Sequence, residues 1–355
     1  MQQLGGPKTE EHETLKRLIA YHTIDIWIGS IGVFLNLCLL SVFFSKRTFL
    51  RQNVMLVVLA FGDFLTCAGI LFLGIARRDL YLRILEHGVV PVETAWTCSL
   101  KAFAWLRLWG SILPSVVVLW IGIERLLAVL APIFYRDNVS KRRSRPCIAV
   151  ILYAAALSLL AIWLAFSRQD EPVAYFCGRK AAFGSVFSTY IYVTAITGYV
   201  LGLVLNFATF TTLCRMYSNR ASVTEINRQL RILRYVVLIS FISTIAVLIP
   251  NLFSLFTIFY GRINITISES GSWLLGVKSS VNIFIYFALK TDFRNRIFGM
   301  FGIKRTESIQ ASNNDSPVFQ KQKFLNVDNN CHVDSAATEE LLTEANDKHR
   351  DSYAC

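Results

Sequence analysis

Asp63, Lys101, Arg107, Glu124, Arg125 and Lys278 stand within, or at the edges of, long apolar runs. An ionisable side chain in such a setting is costly, so each is read first as functional. The chemistry open to them is binding and switching. A guanidinium keeps its proton and must always find acceptors. Arg107 and Arg125 are 18 positions apart, five full helical turns, so they share one face at a separation of about 27 Å. Arg107 either holds a carboxylate or other anion through paired hydrogen bonds, or reaches an acidic neighbour such as Glu93 or Asp170. A protonated amine would be repelled there. Lys278 lies four residues before Asn282, on the same helical face. It either pairs with Asp63 or sits in a water-filled cavity. Asn36 reads best as a structural hydrogen-bonder between helices.

The elements that carry these residues follow from composition. Of the 355 residues, 54% are hydrophobic and 17% charged, and the mean hydropathy is +0.46. A soluble domain rarely reaches this average. About 20 apolar residues cross a bilayer as a helix. Seven runs qualify: 25–45, 54–74, 102–131, 148–167, 186–214, 235–260 and 273–289. Helices are required because lipid offers the backbone no hydrogen-bond partners. Lys and Arg crowd the loops after the first, third and fifth runs, while the opposite loops mix signs. The basic side is therefore cytoplasmic, the N-terminus outside and the C-terminus inside. The net charge of +12 reflects these loops rather than nucleic acid. Residues 1–24 are expected to be extracellular, and the polar stretch 302–355 to be a disordered cytoplasmic tail. No cleaved signal segment is indicated. Phe293, Ile297 and Phe301, with Arg294 and Arg296 between them, predict a short amphipathic helix at the interface. On this frame Ser111, Asn251, Ser254 and Trp273 occupy outer halves of spans. They are softer ligand-binding candidates, since each more often packs or hydrogen-bonds between helices.

The third span ends IGIERLLAVLAPIFYR. This string resembles the acid–Arg–aromatic triplet, Ala-Val, Pro and Tyr of rhodopsin-like G-protein-coupled receptors, at Glu124, Arg125, Ala128, Val129, Pro132 and Tyr135, with Leu126 where an aromatic is usual. The seventh span, SSVNIFIYFALKTDF, resembles their Asn-Pro-x-x-Tyr motif at Asn282, Ile283 and Tyr286, without the Pro. Pro250 matches the kink-forming Pro of span six, although Leu248 stands where a Trp is usual. The wording ERLLAVLAPIFYR with NIFIY is similar to nematode chemosensory receptors of the Srsx type.

The resemblance implies a seven-transmembrane receptor domain over 25–301, no cofactor and no catalysis. It implies that Arg125 is held by Glu124 at rest and meets a heterotrimeric G protein, with Ile133, when span six swings out. It implies a disulfide between Cys98 and Cys177. Arg125 lies 27 residues after Cys98, two more than usual, so the outer end of span three is expected to be irregular. Lys278 would take the place of the sodium ion that many relatives bind beside the acid at Asp63. Arg228, Arg231 and Arg234 stand where an acid would lock Arg125 to span six, so that lock is not expected. Asn264 heads an extracellular glycosylation sequon. Ser308, Ser312 and Ser316 are candidate phosphorylation sites for an arrestin-like partner. The rival class is a seven-span transporter or channel. It would usually show repeats, broken helices or charged rings. All five His lie outside the seven runs, so no membrane metal cluster is expected.

Overall fold

The computed structural model describes residues 2–3, 9–139, 144–218, 223–260, 265–289 and 291–300. β1 is Gln2–Gln3, α1 Thr9–Phe44, α2 Arg47–Gln52 and α3 Val54–His87. β2 (Val89–Val90), β3 (Glu93–Thr94) and α4 (Ala95–Ser99) lead into α5, Ala102–Leu130. α6 (Pro132–Phe134), a π-helical turn (Tyr135–Val139) and α7 (Ser144–Phe166) follow. β4 (Pro172–Val173) and α8 (Arg179–Phe183) precede α9 (Ser185–Ser218). α10 (Val223–Tyr260), α11 (Ile265–Leu289) and α12 (Thr291–Met300) complete the described chain. β1 pairs antiparallel with β2, and β3 with β4.

The architecture is an all-α seven-helix bundle. α1, α3, α5, α7, α9 and α10 are each long and apolar enough to cross a bilayer. α11 with α12, bent by 92° at the break between them, makes the seventh. Large apolar side chains, among them Trp27, Phe34, Trp163, Phe207 and Phe253, point outward. A surface of this kind belongs against lipid. Lipid gives apolar side chains no reason to associate, so the helices must be held by close backbone approach and polar contacts. At Gly110 a Cβ would lie 2.7 Å from the Thr66 backbone nitrogen, so α3 and α5 touch here only because the residue is glycine. Thr66 Oγ1 sits 2.8 Å from the Gly110 carbonyl and 3.0 Å from that of Gly62.

The described residues up to Ile297 form one compact unit, and Phe298–Met300, the last of α12, fall outside it. α12 packs through Phe293, which is fully buried against Phe43 and Tyr286. Arg296 donates from Nε to Ser45 Oγ at 2.8 Å. Asn264, Phe301, the tail and its serines lie outside the described residues, as do the side chains of Arg228, Arg231 and Arg234.

Several helix limits differ from the sequence reading. α1 begins at Thr9 rather than Asp25, and α3 continues from Gly74 to His87. A hydropathy window stops at the first charges, whereas a helix continues while its side chains find partners. Tyr21 packs on Trp273 with ring centroids 5.5 Å apart, and His22 stacks on Tyr81. His22 therefore lies inside a helix and is fully buried, which corrects its placement outside the bundle. α3 stops where Gly88, at φ 64°, takes the left-handed conformation and donates to the Ile84 carbonyl.

Candidate functional site

One end of the bundle is closed by a covalent frame. Cys98 bonds to Cys177, tying α4 to the segment that leads into α8. Cys98 lies on α4, and the helix breaks at Leu100–Lys101 before α5 starts, which is the irregularity that the long Cys98–Arg125 spacing suggests. Thr94 and Thr97 form a reciprocal cap on α4. Lys101 Nζ donates to Glu93 Oε1 at 2.6 Å. Burial would raise the Glu93 carboxyl, but hydrogen bonds from Lys101 and Thr97 and the Lys101 charge outweigh it and hold it below the ordinary value. Glu93 is thus engaged by Lys101 rather than by Arg107.

Beneath this frame lies a cavity of about 630 Å³, within the usual range of small-molecule sites. Arg107, Ser111, Asn251 and Ser254 line it. Arg107 packs where α5 crosses Gly69 of α3: a Cβ at Gly69 would come within 2.8 Å of Arg107 Cγ. Ser111 Oγ donates to the Arg107 carbonyl at 2.7 Å. Asn251 and Ser254 each donate one turn back along α10, to the Val247 and Pro250 carbonyls. Trp273 does not line the cavity. It turns to Tyr21, and its Nε1 is buried without a partner among the described residues; the early start of α1 provides the surface that claims it.

The foot of the cavity is a polar cluster. Asp63, fully buried, accepts on Oδ1 from Lys278 Nζ at 2.8 Å and from Ser279 Oγ at 2.9 Å. Its Oδ2 accepts from Asn282 Nδ2. Lys278 also donates to the Tyr199 hydroxyl at 2.8 Å. Asn36 donates to the Gly32 and Ser279 carbonyls at 2.9 and 3.1 Å, stitching α1 to α11.

At the far end of α5, Arg125 Nη1 donates to Asn206 Oδ1 of α9 at 3.3 Å. Asn206 Nδ2 donates to the Gly202 carbonyl and lies 3.3 Å from Ser240 Oγ of α10. Glu124 Oε1 instead accepts from the Tyr135 hydroxyl at 2.9 Å. No ion pair joins Glu124 to Arg125 among the described residues, which corrects the expected resting pair. The physical reason is that neighbours on a helix diverge by about 100°, so each side chain meets a different helix. Tyr286 lies edge-on to Phe43, and Pro250 sits inside α10. Ile133, on α6, is 70% exposed.

The structure thus brings Arg107, Ser111, Asn251 and Ser254 to one cavity and Asp63, Lys278 and Asn282 to one cluster, and leaves Trp273 apart. Sequence reasoning missed Tyr199, Ser279, Asn206 and Ser240. Single hydroxyls and amides in apolar runs are common, and nothing in their spacing names a partner on another helix. It also missed Asp25, which accepts from Ser272 at 2.9 Å and pairs with His22 at 2.9 Å in a fully buried group. That residue sat at an assumed span boundary.

The described geometry has a counterpart among known families. The model of the serpentine type 7TM GPCR chemoreceptor Srsx matches residues 92–301, which take in β3, Arg125 and the cavity-lining residues of α5, α8, α9, α10 and α11, but not those of α3. No curated protein matches the chain. With more than half of its length matched, this multi-pass membrane protein belongs to the Srsx family of seven-transmembrane GPCR chemoreceptors.

Proposed function

We propose that this receptor takes an extracellular ligand bearing an anionic group into the cavity beneath the Cys98–Cys177 frame and, on binding it, activates a heterotrimeric G protein at the Arg125 end. The observation that carries this reading is the cavity itself. It is lined by Arg77, Arg107, Arg179 and Lys180, with Glu171 as the acid among the loop residues that face it. A chamber with this excess of cations over acids favours anions and repels amines. Arg107 is one group for the ligand. The disulfide end faces outside and the basic loops face the cytosol, in keeping with their charge.

On this reading Arg125, the exposed Ile133 and the Tyr286 region engage the G-protein α subunit once α10 moves about Pro250. Lys278, 2.8 Å from Asp63, acts as a built-in cation where other receptors bind sodium. The tail serines serve an arrestin-like partner, Asn264 carries glycan, and lipids cover the apolar flank.

The test is nucleotide exchange by a promiscuous G protein in membranes carrying the full chain, challenged with acidic, neutral and basic small molecules. Acidic agonists should act in the wild type. Arg125→Ala should retain agonist binding and lose most exchange. Normal exchange by Arg125→Ala, or agonist-driven solute flux without exchange, overturns the reading.

A further inference from the structure

The cations at the disulfide end differ in what balances them. Lys101 has Glu93 and Arg168 has Glu171, and deeper in the bundle Lys278 has Asp63. Arg179 has no carboxylate among the described residues. Its Nη2 donates to Ser111 Oγ at 2.6 Å and to the Arg107 carbonyl at 3.1 Å. Its guanidinium carbon lies 5.0 Å from the centre of the Tyr192 ring. All three partners are neutral. Its Nη1 is buried with no hydrogen-bond partner among the described residues.

The placement is built rather than incidental. Arg179 is the first residue of α8, which is pinned on both sides. Cys177 just before it is bonded to Cys98, and Phe183 at its end is 1% exposed, against Trp105 and Phe187. The short helix therefore delivers the guanidinium onto α5 and into the cavity wall. Burial draws its pKa below the ordinary value, with the Tyr192 phenol opposing, yet an arginine does not lose its proton in a protein. A buried charge without a counter-ion is unfavourable, and an arriving anion would relieve it. One arm of the planar fork is already held by protein oxygens. The other is left for a ligand oxygen.

We propose that Arg179 is the anchor for the acid group of a small monocarboxylic acid, whose apolar body lies along Ile70, Leu73, Pro114 and Val247. This rests on the receptor reading above and deepens it: Arg179, reached through the disulfide-tethered loop, holds the anion, and Arg107 contributes the carbonyl that orients it. Arg179, the cation of this group that has no carboxylate among the described residues, matches the single charge of a monoanion. The walls named are apolar, and the proposal places the hydrocarbon part of the ligand against them.

The test uses purified full-length chain in lipid nanodiscs, with hexanoate, octanoate and phenylacetate as probes and hexanol and hexylamine as controls. Binding is read as a saturable rise of the melting midpoint and by ligand-observed NMR. At least one of the acids should bind the wild type, with the alcohol and amine silent. Arg179→Gln should weaken that acid about 10–100-fold, the loss of one charge-assisted hydrogen bond. The unliganded Arg179→Gln protein should melt no lower than the wild type, because an unbalanced charge has been removed. If that variant does not fold, Arg179→Lys decides. It keeps the charge and loses the fork, so tenfold weaker binding supports the proposal and equal binding overturns it. Silence of all three acids, equal binding by Arg179→Gln, or equal binding of hexanol overturns it too. The readout needs no G protein, so a failure here is distinct from a failure of receptor coupling.

Discussion

Asp63→Asn should be the most damaging single change at the foot of the cavity, and Lys278→Met should repair it. Asp63 Oδ1 and Lys278 Nζ are 2.8 Å apart, with the two side chains 0% and 8% exposed. At an effective dielectric of about 20 their attraction is about 6 kcal/mol. The cost of stripping water from both ions offsets much of it. Removing one partner leaves the other charge buried, and that costs about 3–5 kcal/mol. An asparagine at 63 also turns an amide N–H toward Asn282 Nδ2, which now donates to Asp63, or turns the same group toward Lys278. In Asp63→Asn/Lys278→Met both charges are gone, and a neutral pair of similar volume is close to neutral for stability. The assay is thermal melting of the four proteins in nanodiscs. Asp63→Asn should lose on the order of 10 °C, and the double variant should recover most of it. Additive losses in the double variant, or wild-type melting of Asp63→Asn, would refute the reasoning. Exchanging potassium for sodium should leave the wild-type midpoint where it was, since the cation is part of the chain.

Three further outcomes follow from other contacts. Asn206→Leu removes the acceptor that holds Arg125, worth about 1 kcal/mol. Ligand-independent nucleotide exchange should rise severalfold, and unchanged basal exchange would contradict a restraining role. Gly110→Ala forces a Cβ to 2.7 Å from the Thr66 backbone, so the melting midpoint should fall by the equivalent of about 1–3 kcal/mol; wild-type melting would show that α3 and α5 can part freely. Glu93 is held below the ordinary carboxylate value. Its contribution is therefore present above the unfolded value and lost as pH falls through the lower folded one. A melting-versus-pH series should show this acid-side loss in the wild type and lose it in Lys101→Met, and identical profiles would refute the pairing.

The sequence made the membrane helices legible because their signal is long-range and redundant. A run such as Ile148–Ser167 needs no partner to announce itself, and α7 covers all but its last residue. Helix ends were less legible. Residues 9–24 carry enough charge to stop a hydropathy window, and only contacts such as Tyr21–Trp273 make that stretch part of the bundle. The same blindness left out Tyr21 as the neighbour of Trp273. Among the site residues, Asp63, Arg107 and Lys278 were conspicuous because a charge in an apolar run is rare. Arg179 was not, because in sequence it is one more loop cation beside Lys180. Its meaning comes from the disulfide and Phe183, which turn the loop inward, and from Ser111, which meets it there.

α9 and α10 tie the two ends of the molecule together. Tyr199 and Asn206 are seven residues apart on α9, about two turns, and so share a face. Tyr199 takes Lys278 at the cavity foot, and Asn206 takes Arg125. On α10, Thr244 reaches the Tyr199 carbonyl at 3.3 Å, and Ser240, one turn away, meets Asn206. Both polar layers are therefore clamped across the same pair of helices. Pro250 lies just beyond this clamped segment, toward the cavity-lining Asn251 and Ser254. A proline removes one backbone hydrogen bond from the helix interior, and kinks gather at such points. Pro250 thus lies among the cavity-lining residues of α10, which include Val247, Asn251 and Ser254, and about two and three turns from Thr244 and Ser240. On the proposed receptor reading, a ligand group that displaced Lys278 from Tyr199 would loosen the α9 face on which Asn206 also sits, and Pro250 is the point at which α10 would turn in response.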